Sequence, residues 1–528
     1  LLPQTNNDEH PDHEFDISSI SLGDLISAIN TMENKTNLSP DEIPNIVIKK
    51  CKYAIAAPLL IIFNNSLITC SIPSVWKTAI IKPIPKNKDN IVVNFRPISL
   101  TCSLSKLFEK IVSKDLYAYL ENKGLLDPRQ AGFRSKRSTT TQLCETYSKY
   151  IGFSCKKQSF DTIYIDFKKA FDSIDHKILL NKMKSFGISK HLISWFREYL
   201  TGRTQKVMVD GVLSDSALIV SGVPQGSTIG PLLFILFIND LKSIVPAHVD
   251  YGVYADDLKI FAAVPEHSRR LQLCLNDLVN WASINNMAIS ETKCSVQRFG
   301  SYTNRALYHI NGIPLKVLSD VKDLGVFVSS DLFFKKHIEK MIASSRRVMN
   351  MMFRAFGTQT LGLYCKAFTT YIRPLLEYCP EVLNPTAIGL TNNIEAVQRE
   401  FTRRALYRCG LDNCEYTERL RILQLDTLER RRRLRDIAMV HNIINDEALL
   451  DYSSLLIKAP LVRHIRSAHP HRISIPFKVK TRHSTFVTRT ISLWNEMPSE
   501  IASLSKSQFI PYLLSVPHST IVENSLIR

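Results

Sequence analysis

No run of about 20 apolar residues, the length that spans a bilayer, interrupts this chain of 528 residues. The longest apolar stretches, 55–63 and 232–238, are short and bounded by polar residues, so no membrane partner is expected. Cysteine is scattered: its eleven residues form no CxxC pair and no Cys/His cluster at zinc-ligand spacing. Cys409 and Cys414 come closest and have no second pair nearby. An odd count without a signal peptide points to a reducing compartment. An initiator methionine is missing, since the chain starts Leu1-Leu2-Pro3, and a piece of a longer reading frame is expected. Repeats and low-complexity arrays are absent. Acid is scarce: 49 Asp and Glu face 67 Lys and Arg, a formal charge of +18. That excess disfavours a small-molecule enzyme and fits a polyanion partner, most simply nucleic acid.

The length calls for two to four domains. Residues 1–16 are polar and acidic and read as a tail, whereas Leu22, Leu25, Ile26 and Ile29 start a helical stretch that runs to about 75. From 76 to about 330 strands and helices alternate. Residues 335–410 read as basic helix, and 411–528 as charged helix followed by a basic, proline-punctuated segment. Between 452 and 495 there is no acidic residue at all.

Within the alternating part, Tyr254-Ala255-Asp256-Asp257-Leu258 lies between two alternating apolar runs, a pattern that predicts a hairpin with two carboxylates at its tip. Adjacent anions repel, so such a pair either bears a divalent cation or is a fully hydrated turn. Asp166, ninety positions before Asp256, ends another alternating run, where active-site groups often project. Ile178, Leu179, Met183 and Phe186 then form a helical stripe closed by Gly187. Carboxylates on a strand end and a facing hairpin can hold two divalent ions roughly 3.5–4 Å apart. That is the chemistry of nucleotidyl transfer. Between them, Ser221-Gly222-Val223-Pro224-Gln225-Gly226 leads to Pro231 and an apolar run, read alone as a loop before a buried helix.

Together these blocks resemble the reverse transcriptases of non-LTR (LINE-type) retrotransposons, the jockey-like ones in particular. Asp166 with Ala170-Phe171-Asp172 resembles their first palm motif, Pro224-Gln225-Gly226 the second, and Tyr254 to Asp257 the third. Pro83-Ile84-Pro85-Lys86, Asn94-Phe95-Arg96-Pro97-Ile98-Ser99-Leu100 and Gln130-Ala131-Gly132-Phe133-Arg134 resemble fingers motifs. Glu291-Thr292-Lys293 resembles the fourth palm motif, and Leu324-Gly325-Val326 the primer grip.

The resemblance implies an α+β right-hand polymerase. Its parts would be an N-terminal extension (1–75), fingers and palm (76–330), a helical thumb (331–410) and a basic C-terminal region (411–528). Asp166 and Asp256 would bind two Mg²⁺ ions, with Mn²⁺ as a substitute, and Asp257 would orient the hairpin or touch one metal. Phe171 would close under the sugar against a 2′-hydroxyl, its alternative being simple core packing. Gln225 and Gly226 would contact the incoming nucleotide, and Lys86 and Arg96 its phosphates. Lys293 would protonate pyrophosphate or remain a surface charge.

The implied partners are template RNA, a DNA primer or nicked target DNA, and deoxynucleoside triphosphates. An endonuclease encoded upstream in the same polyprotein is expected, as is a nuclear site of action after a cytoplasmic ribonucleoprotein stage. The basic face of 335–354, including Lys335, Lys336, Arg346 and Arg347, would ride a template–primer duplex. Arg403 and Arg404, Arg430 to Arg433 and Arg435 repeat the theme. In the acid-free segment Arg472, Lys480 and Arg482, interleaved with Phe486 and Trp494, would bind RNA by phosphate contacts and stacking, the alternative being that Trp494 and its apolar neighbours pack against the thumb. A co-opted copy that only holds nucleic acid, and a viral or group II intron polymerase, are the competing readings.

Overall fold

The computed structural model describes residues 14–36, 39–85, 95–357, 360–385, 387–411, 414–445, 457–458, 471–474 and 486–516. Lys86, Lys480 and Arg482 lie outside the described residues. The architecture is mixed, with two larger sheets and many helices.

A five-stranded central sheet is built on Ser159–Ile165, which pairs antiparallel with Asp257–Val264 on one side and Ser295–Phe299 on the other. Asp250–Tyr254 closes one edge, antiparallel to Asp257–Val264, and Lys316–Leu318 the other, parallel to Ser295–Phe299. Alternation along these strands serves two separate hydrophobic cores. Ile163, Ile165, Ile260 and Ala262 enter the main core, with the apolar helix Gly230–Ile238 and the helix Ser268–Ile284. Phe160, Phe261 and Phe299 point into a second core, where Phe160 stacks on Phe299 at 4.3 Å. Both faces are therefore covered, as a strand of nearly continuous burial requires. Asp161 is fully buried in this strand and is satisfied by Arg305 and the Tyr308 hydroxyl.

The second sheet pairs Phe95–Leu100 antiparallel with Thr78–Pro85, which runs parallel to Thr204–Val209. The main core continues without a break from Ile17 through Trp76 to Leu315, so the N-terminal helices pack as part of the same body. The helix Lys52–Thr69 corrects one expectation. Its apolar runs are short, but as a whole helix it is long and apolar enough to cross a membrane by length and composition. Leu59, Phe63 and Leu67 on it are buried in the main core.

A third core joins Lys335–Ala355, Leu361–Ala367 and Ile388–Arg408. The helix Lys335–Ala355 is pinned to the strand Val326–Ser329, because the Phe327 amide donates to His337 Nδ1 at 3.1 Å.

The C-terminal elements overturn the RNA-binding expectation for their aromatics. Phe486, Val487 and Trp494 on the helix Phe486–Asn495 are buried in the second core with Ile437 and Val440 of Leu428–Ile444. Trp494 has no exposed surface, and its ring is held by the His471 carbonyl at 2.8 Å. It has no face to offer a base. The arginines of Leu428–Ile444 are likewise paired or buried within the protein, although Arg435 keeps an exposed side chain. Arg431 pairs with Glu377, Arg433 with Glu429 and Arg435 with Glu381, while Arg430 and Arg432 are buried.

Candidate active site

The carboxylates are positioned by strand register. Ile165 faces Leu258, so the next residues outward, Asp166 and Asp257, end neighbouring strands side by side. Tyr254 pairs with Asp257 across a two-residue turn, Ala255-Asp256, as the flanking runs predict. Ala255 takes a left-handed φ of 55°, an uncommon conformation for a residue with a Cβ. What holds it is Gln130, a buried residue whose Oε1 accepts from the amides of Ala255 at 2.9 Å and Gly132 at 2.7 Å. The Ala131 amide donates to the Val253 carbonyl at 2.9 Å, so this short segment touches the hairpin through one isolated parallel bridge at Gln130. A Cβ on Gly132 would lie 2.3 Å from the Ala255 nitrogen, which explains the glycine. The motif was visible in the sequence; the role of Gln130 was not.

Asp166, Asp257 and Lys293 line one cleft of about 170 Å³ together with Lys259 and Asp323. Lys259 and Asp323 form a buried ion pair, which ties the carboxylate hairpin to the Asp320–Asp323 strand and so to the Leu324-Gly325-Val326 turn. Asp257 is exposed as a residue, yet its carboxyl is pushed up to about 6. Loss of water is the first cause, then Asp256 and Asp323 and more weakly Asp166, against the pull of Lys259. Such crowding disfavours bare negative charge and suits a divalent cation. Among the described residues no three His, Cys, Asp or Glu side chains are closed around one point; the carboxylates are gathered at one edge without being closed. Lys293 Nζ lies 3.8 Å from Asp166 Oδ1, with both side chains partly exposed.

The other residues expected at a nucleotide site are laced to this edge. Phe171 stacks on Phe234 at 4.3 Å and meets the edge of Phe133 at 6.0 Å; it is half-buried, packed on one side. The Phe171 carbonyl accepts from the Val223 amide at 3.0 Å. Gln225 donates from Nε2 to Asp172 Oδ1 at 2.8 Å, a bond between motifs that no local pattern announces. Its carbonyl accepts from the Ser99 amide at 2.7 Å, and a Cβ on Gly226 would meet the Ser99 oxygen at 2.5 Å. Arg96 is exposed on the same strand as Ser99.

The expected backbone-binding cations divide. Lys335, Lys336, Arg346, Arg347 and Arg403 are exposed, Lys336 paired with Asp320 at 2.5 Å and Arg346 3.6 Å from Glu400. Arg404 is half-buried over the Phe353 ring and donates to Asn350 at 2.6 Å, so it pins two helices together. Arg472 is half-buried, with its Nε shut from solvent.

Comparison with known proteins agrees with this geometry. Residues 84–326 match the model of the family "Reverse transcriptase (RNA-dependent DNA polymerase)". The chain carries a reverse transcriptase domain. It is 28% identical over 402 residues to the RNA-directed DNA polymerase from mobile element jockey of Drosophila funebris, covering 73% of this chain and 44% of the relative. The protein of the same name from Drosophila melanogaster is 28% identical over 403 residues, 74% and 44% of the two chains. The probable RNA-directed DNA polymerase from transposon BS of Drosophila melanogaster is 26% identical over 437 residues, 78% and 47%. The chain thus spans less than half the length of these relatives.

Proposed function

We propose that this chain extends a DNA 3′ end on an RNA template, using deoxynucleoside triphosphates and Mg²⁺. The observation that carries the reading is the register that sets Asp166 beside Asp257, with Asp256 in a turn fixed by Gln130. In this reading the sheet of Ser159–Ile165 is the palm, the sheet of Thr78–Pro85 belongs to the fingers, and the helices of 331–410 form the thumb.

Asp166 and Asp256 would hold the metals, and Asp257 would complete the negative edge. Divalent ions bound there would neutralise the triphosphate and favour ionisation of the attacking 3′-hydroxyl. The 3′-oxygen bonds to the α-phosphorus as the bond to the pyrophosphate oxygen breaks. Lys293 Nζ stands at the edge as a proton source for that leaving group. The Phe171 ring, backed by Phe234, closes the space a 2′-hydroxyl would need. Gln225 steadies the Asp172 loop below the sugar, and Arg96 faces the triphosphate. The primer would come from target DNA nicked by an endonuclease of the same polyprotein, acting in the nucleus. Retention of all three carboxylates argues against a copy that only binds nucleic acid.

The test is incorporation of dTTP on poly(rA)·oligo(dT) by the full chain with Mg²⁺. Extension that stops on chelation is expected, and a folded chain that binds the template–primer without extending it would contradict the reading.

A further inference from the structure

Two neighbouring helix surfaces carry the same unusual pattern. On Lys335–Ala355, Arg347 and Arg354 flank Met351, which is 63% exposed. On Ile388–Arg408, Arg403 and Arg408 flank Tyr407, which is 81% exposed, beside a cleft of about 400 Å³ closed by Leu411. The two surfaces adjoin, because Arg404 donates to Asn350 at 2.6 Å and Arg408 to the Phe353 carbonyl at 3.3 Å. Glu400, the carboxylate between them, is shared by Arg346 and Arg404, so Arg403 and Arg347 are not neutralised by it.

A large ring left in water between guanidinium groups serves neither a core nor an ion-paired surface. It does match a polymer in which flat apolar faces alternate with phosphates. A duplex hides its base faces and offers phosphates alone, whereas an unpaired strand offers both. Residues four apart lie on one helix face, so Arg403 and Tyr407 present charge and ring side by side.

We propose that this ridge binds an unpaired stretch of RNA. Tyr407 stacks on a base and Arg403 and Arg408 hold the flanking phosphates. Met351 with Arg347 and Arg354 extends the track. The assignment rests on the reading of the chain as an RNA-templated polymerase and names which part of the template this surface takes.

The experiment uses the full chain and two fluorescent probes, a short unstructured RNA and a blunt RNA–DNA duplex of the same sequence. Tyr407→Ala should weaken binding of the single strand by about fivefold or more, the scale of one base–aromatic stack, and leave duplex affinity unchanged. Tyr407→Phe, which keeps the ring, should bind both probes as the parent does. Equal affinity of Tyr407→Ala and parent for the strand would overturn the proposal, as would equal losses on strand and duplex. A parent chain that fails to extend would remove the polymerase reading, while the strand-to-duplex ratio would still judge the ridge.

Discussion

Two regions rich in arginine, 335–408 and 428–516, resemble each other in composition and differ in what they do with charge. In the first, Arg347, Arg354 and Arg403 stand in water beside exposed apolar side chains. In the second, Arg430 and Arg432 are buried, Arg489 is locked to Asp436 inside the protein, and Trp494 fills a core. A guanidinium can be a handle for phosphate or a bolt between helices, and a count of arginines cannot tell which. The deciding factor is the supply of acid from distant sequence. The segment 452–495 lacks acid of its own, yet Asp436 and the Glu381 carbonyl reach Arg489.

The contrast breaks most sharply at Arg489. Removing it leaves Asp436, which has no exposed surface, as an unpaired buried charge, so Arg489→Ala should cost about 3–5 kcal/mol of stability. Urea unfolding reads this directly. Parent-like stability together with weakened RNA binding would return the segment to the nucleic-acid surface.

A smaller effect comes from Glu381, also buried beside these arginines. Burial pushes its carboxyl from 4.5 up to about 7 against the pull of Arg435. The folded state therefore holds a proton that the unfolded chain releases between these values, and stability should fall as pH rises through that window. The slope it adds is at most about 1.4 kcal/mol per pH unit. Glu381→Gln should flatten the profile between pH 4.5 and 7, and an unchanged slope would place the proton elsewhere.

The smallest change is expected at Arg347. Being exposed, it should alter stability by no more than about 0.5 kcal/mol on replacement by Ala. The same change should reduce the slope of log affinity against log salt by about 0.7 to 0.9, the value of one phosphate contact. Loss of stability without a change of salt slope would make the two regions alike after all.

Local pattern carried much of the site. Alternation located the strand before Asp166 and the hairpin around Asp256, and Pro231 at the start of an apolar run marked the buried helix Gly230–Ile238. What stayed hidden depends on partners far apart in the chain. Gln130 reaches Ala255 across 125 residues, and Lys259 meets Asp323 across 64. Neither pairing leaves a periodic trace. The helix Phe486–Asn495 was obscured for another reason: its basic, proline-flanked surroundings read as a solvated strand-binding tail, while its apolar face waited for the second core.

The central claim is that Asp166, Asp256 and Asp257 form the reacting edge of a polymerase. The most direct test pairs two measurements on Asp256→Asn, single-turnover extension of an annealed primer and affinity for that same template–primer. The substitution removes one ligand charge at the turn, so extension should be abolished while affinity stays within a few-fold of the parent. Extension at the parent rate by a folded Asp256→Asn chain would contradict the account.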